Sequence, residues 1–458
     1  MPAGARASTL RAELRELALL TVPLFLTHAG TMLLGLVDTA VVGRLGEVPL
    51  AAVGLGNSLY FTIAMLGFGL MLGLDPLIAQ AIGAGEEGRA RHLLWQGSLL
   101  AILVVVPLAL VTWALSLALE PLGIEAAVAR EVRPYVLSRL AGMLPFLLLA
   151  SCRSYLQARA KTRALVIGVV VANVINLPLS WALCFGDEGL ERLGLPALSV
   201  PALGTAGAGW ASSAATAAQL VIAILAIRAI GGESHAAFRR PDARLVTKIA
   251  RLGAPISLQL VSEFGSFAIV TFLMGVIGSR ALSSHNVALM LASATFQLAL
   301  ALSAATAVRV GHGVGRADAR GTRRSGVIGI VCGALGMSAA SLLFVAVPAP
   351  LSRIVTDQPE VIAASVSLLA VAAAFQLSDG VQCVAAGALR GAGDTVFPFA
   401  ANLVGHYVLG LPVGILLSFV LGWGAVGLWW GLSVGLTAVA VALTARFLRL
   451  ASRPIARS

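Results

Sequence analysis

Long apolar runs fill most of the sequence and decide what it can fold into. One of them, residues 101–119, reads AILVVVPLALVTWALSLAL and holds no charged residue. A helix needs about 20 apolar residues to cross a membrane, whereas the strands of a membrane barrel are short and alternating. We predict twelve spanning helices. Their approximate bounds are 17–42, 50–74, 92–118, 134–157, 164–185, 205–227, 252–277, 284–308, 326–347, 361–389, 396–421 and 424–447.

The scarcity of charge excludes other classes of protein. The 458 residues include 32 Lys and Arg and 21 Asp and Glu, so that only 12% of the chain is charged. A soluble domain carries about 25% charged residues. The composition therefore excludes a soluble enzyme, a disordered protein and a disulfide-rich secreted domain, and it predicts an all-α polytopic membrane protein.

The basic residues lie mostly on one side of the predicted membrane. If the N-terminus is cytoplasmic, the predicted cytoplasmic segments hold 25 of the 32 Lys and Arg residues, and the outer loops hold six. This asymmetry satisfies the positive-inside rule. We therefore predict a cytoplasmic (inner) membrane protein with both termini in the cytoplasm. The net charge of +11 is then a consequence of topology, and we expect no nucleic-acid partner.

The two halves of the chain resemble each other. Residues 156–162 (LQARAKT) line up with residues 389–395 (LRGAGDT). Each half has six predicted spans, an even number, so both halves run through the membrane in the same direction, as in one recurrent transporter design. We predict an N-terminal six-helix bundle over 1–235, a cytoplasmic linker over 236–251 and a C-terminal six-helix bundle over 252–458.

Three acidic residues, Asp38, Glu263 and Asp379, lie well inside predicted spans. A charge at this depth costs at least about 3 kcal/mol, so an acid there is a candidate functional residue. Salt bridges between helices are the alternative explanation. Arg139 is the only basic residue deep in a span, and it cannot neutralise all three acids.

Polar side chains follow the same spans at helical spacing. Interhelical hydrogen bonding explains any one such stripe, but several stripes together with three carboxyl groups favour a wet central cavity. The predicted cavity residues are Thr31 in span one, Asn173, Asn176 and Ser180 in span five, Gln259 and Ser262 in span seven, Gln297 in span eight, and Gln376 and Gln382 in span ten.

These carboxyl groups have two possible uses. A carboxyl group in an apolar cleft takes up a proton more readily than in water. With nearby amide and hydroxyl oxygens, it can instead replace the water shell of a sodium ion. In either case a cation and a cationic substrate that share one negative site disfavour each other, which is the minimum requirement for antiport. We predict Na⁺ or H⁺ binding at Glu263 and Asp379 with Asp38 as a second polar site, and no catalytic residue or resident cofactor.

Several segments resemble the multidrug and toxic compound extrusion (MATE) family. They are residues 37–43 (VDTAVVG), 79–85 (AQAIGAG) and 389–395, within the duplicated six-plus-six layout. Glu263 and Asp379 look like the acidic pair of the NorM-like branch. Asp38 matches the family's first-span aspartate and Asn176 its span-five asparagine, whereas Ser180 stands where NorM-like relatives often have a second asparagine.

The resemblance implies a V-shaped pair of bundles that exports organic, often cationic, compounds by cation-driven antiport. We expect the partners to be a small organic substrate, the coupling cation and the lipid bilayer, with the chain acting as a monomer. A lipid-linked glycan flippase of the same superfamily is one alternative, although it would need a strongly cationic cavity. An intramembrane aspartyl protease using Asp38 or Asp379 with Asp394, from the string 391–394 (GAGD), is the other. That chemistry requires Asp394 deep in a helix, whereas its place before Pro398 predicts a helix cap.

Overall fold

The computed structural model describes residues 10–192, 194, 196, 199, 201–231 and 240–458, and every regular element in these ranges is helical. Residues 236–239 of the predicted linker lie outside the described residues. The helices are α1 (Leu10–Val42), α2 (Glu47–Leu72), α3 (Leu74–Gly83), α4 (Glu87–Leu117), α5 (Ala126–Leu140), α6 (Met143–Ala158), α7 (Arg163–Glu191), α8 (Thr205–Ala229), α9 (Ala243–Ile277), α10 (Ser279–Gly315), α11 (Ala319–Ala346), α12 (Pro348–Arg353), α13 (Pro359–Gly391), α14 (Val396–Leu403), α15 (Leu411–Ile415) and α16 (Gly424–Leu450).

The predicted membrane spans are confirmed. Within the described residues, 11 helices are long and apolar enough to cross a membrane, and the number rises to 12 when the bent pair α5 and α6 counts as one span. Large apolar side chains such as Val106 and Leu110 on α4 are more than half exposed. In a bilayer they would face lipid, where apolar exposure carries no cost.

The fourth span is broken, which the sequence analysis did not predict. α5 ends at Leu140, α6 begins at Met143, and the two helices are bent by 43°. Gly142 lies at the break, and a Cβ there would stand only 2.7 Å from the hydroxyl oxygen of Ser213 on α8. Glycine therefore lets α8 approach the break closely.

The eleventh span departs from α-helical geometry. α14 passes into a π-helical stretch at Val404–Gly410, and α15 passes into a second at Leu416–Val420. π-Helical turns are rare and occur often at functional sites.

The chain divides into two compact units, which we name after the half that dominates each. The N-unit comprises Leu26–Leu74 and Glu87–Ser257. One core cluster of this unit packs Val41 and Val42 of α1 against Val132, Tyr135 and Val136 of α5.

The C-unit comprises Leu258–Ser458, Asp75–Glu86 and the chain up to Phe25. Its largest core side chains include Trp429, Phe375 and Phe344. Ion pairs attach the two shorter segments of this unit to its main segment, Leu258–Ser458. Arg309 pairs with Glu13, Arg390 with Asp75 at 3.7 Å, and Arg457 with Glu86 at 2.8 Å. The bundle limits at 235 and 252 stay a prediction.

Candidate functional site

Two of the predicted acids lie in the C-unit and share one amide group. Glu263 is on α9, and Asp379 and Gln382 are one turn apart on α13. Gln382 Nε2 donates to Glu263 Oε1 at 3.2 Å and to Asp379 Oδ1 at 3.3 Å. Because both bonds leave the same nitrogen, the two acceptor oxygens are no farther apart than the sum of these distances. Glu263 and Asp379 therefore form one site with two carboxyl groups.

No basic side chain of the described residues forms an ion pair with either carboxyl group. Arg390, which is farther along α13, pairs with Asp75 instead. Asp379 is only 5% exposed and Glu263 is half-buried. Two neighbouring carboxylates repel each other. A proton or a metal cation that reduces the charge of the site therefore lowers its free energy.

Buried amide groups lie beside Glu263 and on the helix that carries Asp379. Asn402 on α14 is fully buried beside Glu263 and acts on that carboxyl group, although neither of its amide atoms makes a bond of good hydrogen-bond geometry with the described residues. The side-chain oxygens of Gln382 and Gln376 are also buried without a partner there. Carboxylate and amide oxygens are the donor type that hard cations prefer.

The π-helical stretch of the eleventh span meets α9 next to Glu263. Tyr407 lies in this stretch, and its hydroxyl group donates to the main-chain carbonyl of Ser262 at 2.9 Å. The sequence analysis did not identify Tyr407, because a single tyrosine in a span is usual and a π-helical turn has no simple sequence signature.

The other predicted cavity residues of the C-unit form no hydrogen bond to Glu263 or Asp379 among the described contacts. Gln376 donates to the hydroxyl oxygen of Thr295 on α10. Gln297 donates to the carbonyl of Ser293 on its own helix at 3.2 Å. The Ser262 hydroxyl is buried without a partner among the described residues, and Gln259 is half-buried. Their part in a cavity stays a prediction.

The third acid, Asp38, forms a separate polar centre in the N-unit. Asp38 is 8% exposed on α1. Asn176 on α7 donates to its Oδ1 at 3.2 Å, and Ser212 on α8 donates to its Oδ2. Asp38 and Asn176, two of the predicted polar residues, are therefore hydrogen-bonded to each other in the structure. Ser212 was missed, and the only available signal was the hydroxyl pair 212–213 in an apolar span.

The remaining predicted polar residues of the N-unit bond elsewhere. Asn173 donates to the main-chain carbonyls of Gly30 at 2.9 Å and Val169 at 2.8 Å, which joins α7 to α1. Thr31 donates to a carbonyl of its own helix. The Ser180 hydroxyl lies 3.9 Å from the sulfur of Cys184. In this arrangement none of the three contacts Asp38, and their cavity role stays a prediction.

Comparison with known proteins identifies the family. The MatE family model matches the chain twice, over residues 23–182 and 255–416. The chain belongs to the MatE family. The double match agrees with the internal duplication, and the resemblance deduced from the motifs is confirmed.

Relatives of the MatE chain are similar over almost its whole length. A probable multidrug resistance protein NorM of Deinococcus radiodurans is 37% identical over 444 residues, which are 95% of each chain. The multidrug resistance protein NorM of Vibrio cholerae is 30% identical over 445 residues, again 95% of each chain.

Solved structures share the fold. The crystal structure of the eukaryotic MATE transporter AtDTX14 has a TM-score of 0.83 at 22% identity and covers 96% of this chain and 97% of its own. An outward-facing multidrug resistance MATE transporter has a TM-score of 0.86 at 17% identity, with 96% of each chain covered. At this level of identity the likeness concerns the fold alone.

Proposed function

We propose that this MatE protein is a cation-coupled antiporter that exports organic, often cationic, compounds across the cytoplasmic membrane by alternating access. Na⁺ or H⁺ entering from outside binds at Glu263 and Asp379 and drives release of the compound to the exterior. The relatives named NorM support multidrug export, and the asymmetry of basic residues supports cytoplasmic termini.

One observation carries this proposal: Glu263 and Asp379 lie within membrane spans, share Gln382 and have no ion-paired base among the described residues. An uncompensated pair of carboxylates in a membrane is costly unless a cation joins it. When a proton or Na⁺ binds, the negative charge of the site falls and it attracts a cationic substrate less strongly. When the cation leaves, the negative charge is available to the substrate, so the two ligands alternate.

Asp38 acts as a second polar site in this mechanism. Asn176 and Ser212 each donate one hydrogen bond to its carboxylate, and these bonds stabilise the charged form. The antiporter therefore has one site in which two carboxyl groups share a donor and one in which a single carboxyl group has two donors.

The protease alternative finds no support in the surroundings of Asp394. This residue follows the end of α13, accepts a hydrogen bond from the main-chain nitrogen of Phe397 at 3.4 Å and pairs with Arg446 at 2.9 Å. The predicted capping bond is thus present, and an ion-paired carboxylate in a turn is a poor catalytic acid or base.

The test is dye efflux in inside-out vesicles under a sodium gradient and, separately, under a proton gradient. Asp379→Asn removes one charge from the carboxyl pair and should abolish gradient-driven efflux of ethidium. Glu360→Gln is a matched control, since Glu360 lies on the same helix but is exposed and paired with Arg280. Normal efflux by Asp379→Asn at wild-type expression would overturn the proposal.

A further inference from the structure

The first turns of α9 carry a basic face that the proposed antiport does not use. Arg244, Lys248 and Arg251 lie at positions i, i+4 and i+7 of this helix, a spacing that places all three side chains on one face. Together with Ala243 and Thr247 they line a cavity of about 550 Å³. Within the described ranges, none of the three cations forms an ion pair with an acidic side chain. The basic face of α9 therefore surrounds a cavity for which the described residues supply no counter-ion.

The acidic residue next to this face, Asp242, has another role. Its Oδ1 accepts hydrogen bonds from the main-chain nitrogens of Arg244 at 2.9 Å and Leu245 at 3.2 Å. These bonds cap the first turn of α9. Even when this carboxylate is counted, three positive charges against one negative charge leave the cavity strongly positive.

The opposite side of α9 is packed tightly against the N-unit. Ile249 is fully buried, and a Cβ at Gly73 would stand 2.3 Å from its carbonyl oxygen. A Cβ at Gly253 would likewise stand 2.3 Å from the carbonyl oxygen of Leu70 on α2. Backbones this close leave α9 no room to rotate about its axis. The basic face is therefore held away from the packed helices, and two of its three cations are exposed while Lys248 is half-buried.

The basic face ends where α9 becomes apolar. Arg251 is the last basic residue of this helix, and the following residues 252–277 contain one charged residue, Glu263. These residues form a helical segment of about 39 Å, at 1.5 Å per residue, which is long enough for the roughly 30 Å of the hydrocarbon core. The basic face thus lies where the helix enters the membrane.

α4 gives a second indication of this level. Gln96 on α4 donates to the carbonyl of Arg240 at 2.9 Å and accepts from the main-chain nitrogen of Asp242 at 3.0 Å. The neighbouring Trp95 is 46% exposed, and exposed tryptophans are typical of the membrane–water interface. Farther along α4, apolar side chains such as Val106 are more than half exposed. The start of α9 is therefore fixed beside an interfacial tryptophan and an apolar surface.

We propose that the basic face of α9 binds the headgroup of an anionic phospholipid in the leaflet where α9 begins. The lipid phosphate lies in the cavity against the three cations, and the acyl chains pack on the exposed apolar side chains of α4. The positive-inside rule explains an excess of basic residues at this end of the spans, but it does not explain their arrangement around one cavity. A free phosphate ion would meet the same cations, whereas only a lipid would also use the apolar surface. This binding site goes beyond the proposed export function and does not depend on ion coupling at the carboxyl pair.

Lipid retention by the purified full chain provides the test. The protein is equilibrated in mixed micelles with equal amounts of phosphatidylglycerol and phosphatidylcholine of the same acyl chains, and bound lipids are counted by native mass spectrometry. Each basic residue near a membrane surface strengthens attraction to an anionic lipid by about fivefold. The wild type should therefore prefer phosphatidylglycerol by at least about tenfold. Equal retention of the two lipids would overturn the proposal.

Two triple variants locate the preference. The first replaces the three cations of the basic face, with Arg244→Gln, Lys248→Gln and Arg251→Gln. The control replaces three exposed arginines of the same spacing that do not line the cavity, with Arg316→Gln, Arg320→Gln and Arg323→Gln. The first should lower the preference for phosphatidylglycerol at least about fivefold, and the control should leave it within about twofold of the wild type. Equal losses would mean that net charge and not this face attracts the lipid, and the proposal would be wrong.

Single variants keep the test decisive if the first triple variant does not fold. Arg251→Gln, at an exposed position, should lower the preference by about fivefold. Lys248→Arg keeps the positive charge and should retain the preference of the wild type. An unchanged preference in Arg251→Gln, or its loss in Lys248→Arg, would contradict a site that attracts phosphate through these charges.

A competition experiment distinguishes a lipid from a free phosphate ion. Millimolar inorganic phosphate is added to the wild type with bound phosphatidylglycerol, and acetate of the same ionic strength is added to a parallel sample. The lipid should stay bound in both samples, because the inorganic ion lacks the acyl chains. Displacement by phosphate but not by acetate would mean that the cavity takes a free anion, and the lipid assignment would be wrong.

Discussion

The two polar centres of the molecule are built from corresponding halves of a duplicated chain, yet they differ in the number of hydrogen-bond donors that each carboxyl group has. In the N-unit, a single carboxylate, that of Asp38, has two donors of its own from Asn176 and Ser212. In the C-unit, Glu263 and Asp379 must share one donor, Gln382. The duplication preserved the fold, since the family model matches both halves, but the buried charges diverged.

The difference indicates that the two polar centres have different roles. A carboxyl group with two donors of its own is held in a fixed position, so it suits the recognition of a ligand. Two carboxylates with one donor between them gain most from an added cation, so they suit ion coupling. The variants at Gln382, Gly387 and Ser212 below are each paired with a control, and those at Gln382 and Ser212 test the two sides of this contrast.

The largest effect is expected from removing the shared donor. Gln382→Leu deletes both hydrogen bonds of the carboxyl pair and increases the repulsion between its members. Gradient-driven efflux should fall at least about tenfold, because hydrogen bonds to charged groups are worth about 1.5 to 3 kcal/mol each. Gln219→Leu is the control, since Gln219 is half-buried on α8 and is not a predicted site residue. Equal losses in the two variants would mean that any half-buried amide in a span matters as much as the shared one.

The next effect concerns close packing in the C-unit. A Cβ at Gly387 on α13 would stand 2.4 Å from the carbonyl oxygen of Ser303 on α10. Gly387→Ala should therefore force these helices apart and lower the free energy of unfolding by about 1 to 3 kcal/mol. The nearest atom to a Cβ at Gly275 is 4.0 Å away, so Gly275→Ala should leave stability unchanged or raise it by up to about 1 kcal/mol. Thermal unfolding in detergent measures both, and similar melting points would contradict this packing.

A smaller effect is expected at the N-unit centre. Ser212→Ala removes one of the two donors to Asp38 and should weaken binding of an organic cation by about three- to tenfold, in line with the loss of one charged hydrogen bond. Ser213→Ala removes a bond to the carbonyl of Ser138, so it should change stability but not affinity. Isothermal titration of both variants compares them directly. A larger loss of affinity in Ser213→Ala than in Ser212→Ala would show that the bond from Ser212 does not position Asp38 for binding.

The smallest effect is expected at Ser180. Among the described residues, the one polar contact of its hydroxyl group is with the sulfur of Cys184, at 3.9 Å. A contact of this kind is weak. Ser180→Ala should therefore change efflux by less than about twofold. A strong loss would bring Ser180 into the N-unit site, as the sequence analysis predicted.

The sequence predicts the fold well because lipid imposes a simple rule: each span needs a long apolar run. The break at Gly142 and the π-helical stretch around Tyr407 escaped prediction, since both depend on contacts with other helices. The three acids could be identified from their cost in a membrane.

The hydrogen-bond partners of the three acids were harder to predict. In the sequence, a polar residue that faces a site cannot be distinguished from one that bonds to the backbone of its own helix. Asn176 and Asn173 illustrate this, since they lie on one helix and only the first contacts Asp38. Gln382 could be predicted from its spacing to Asp379, whereas its bond to Glu263 depends on how α9 and α13 pack.

The most direct test of ion coupling at the carboxyl pair is competition between the cation and the substrate in purified protein. Ethidium is added to the protein in detergent, and displaced radioactive sodium and released protons are measured. The account predicts displacement of one of these ions by the wild type, and its loss in both Glu263→Gln and Asp379→Asn. No displacement of either ion by the wild type, or undiminished displacement by the two variants, would contradict it.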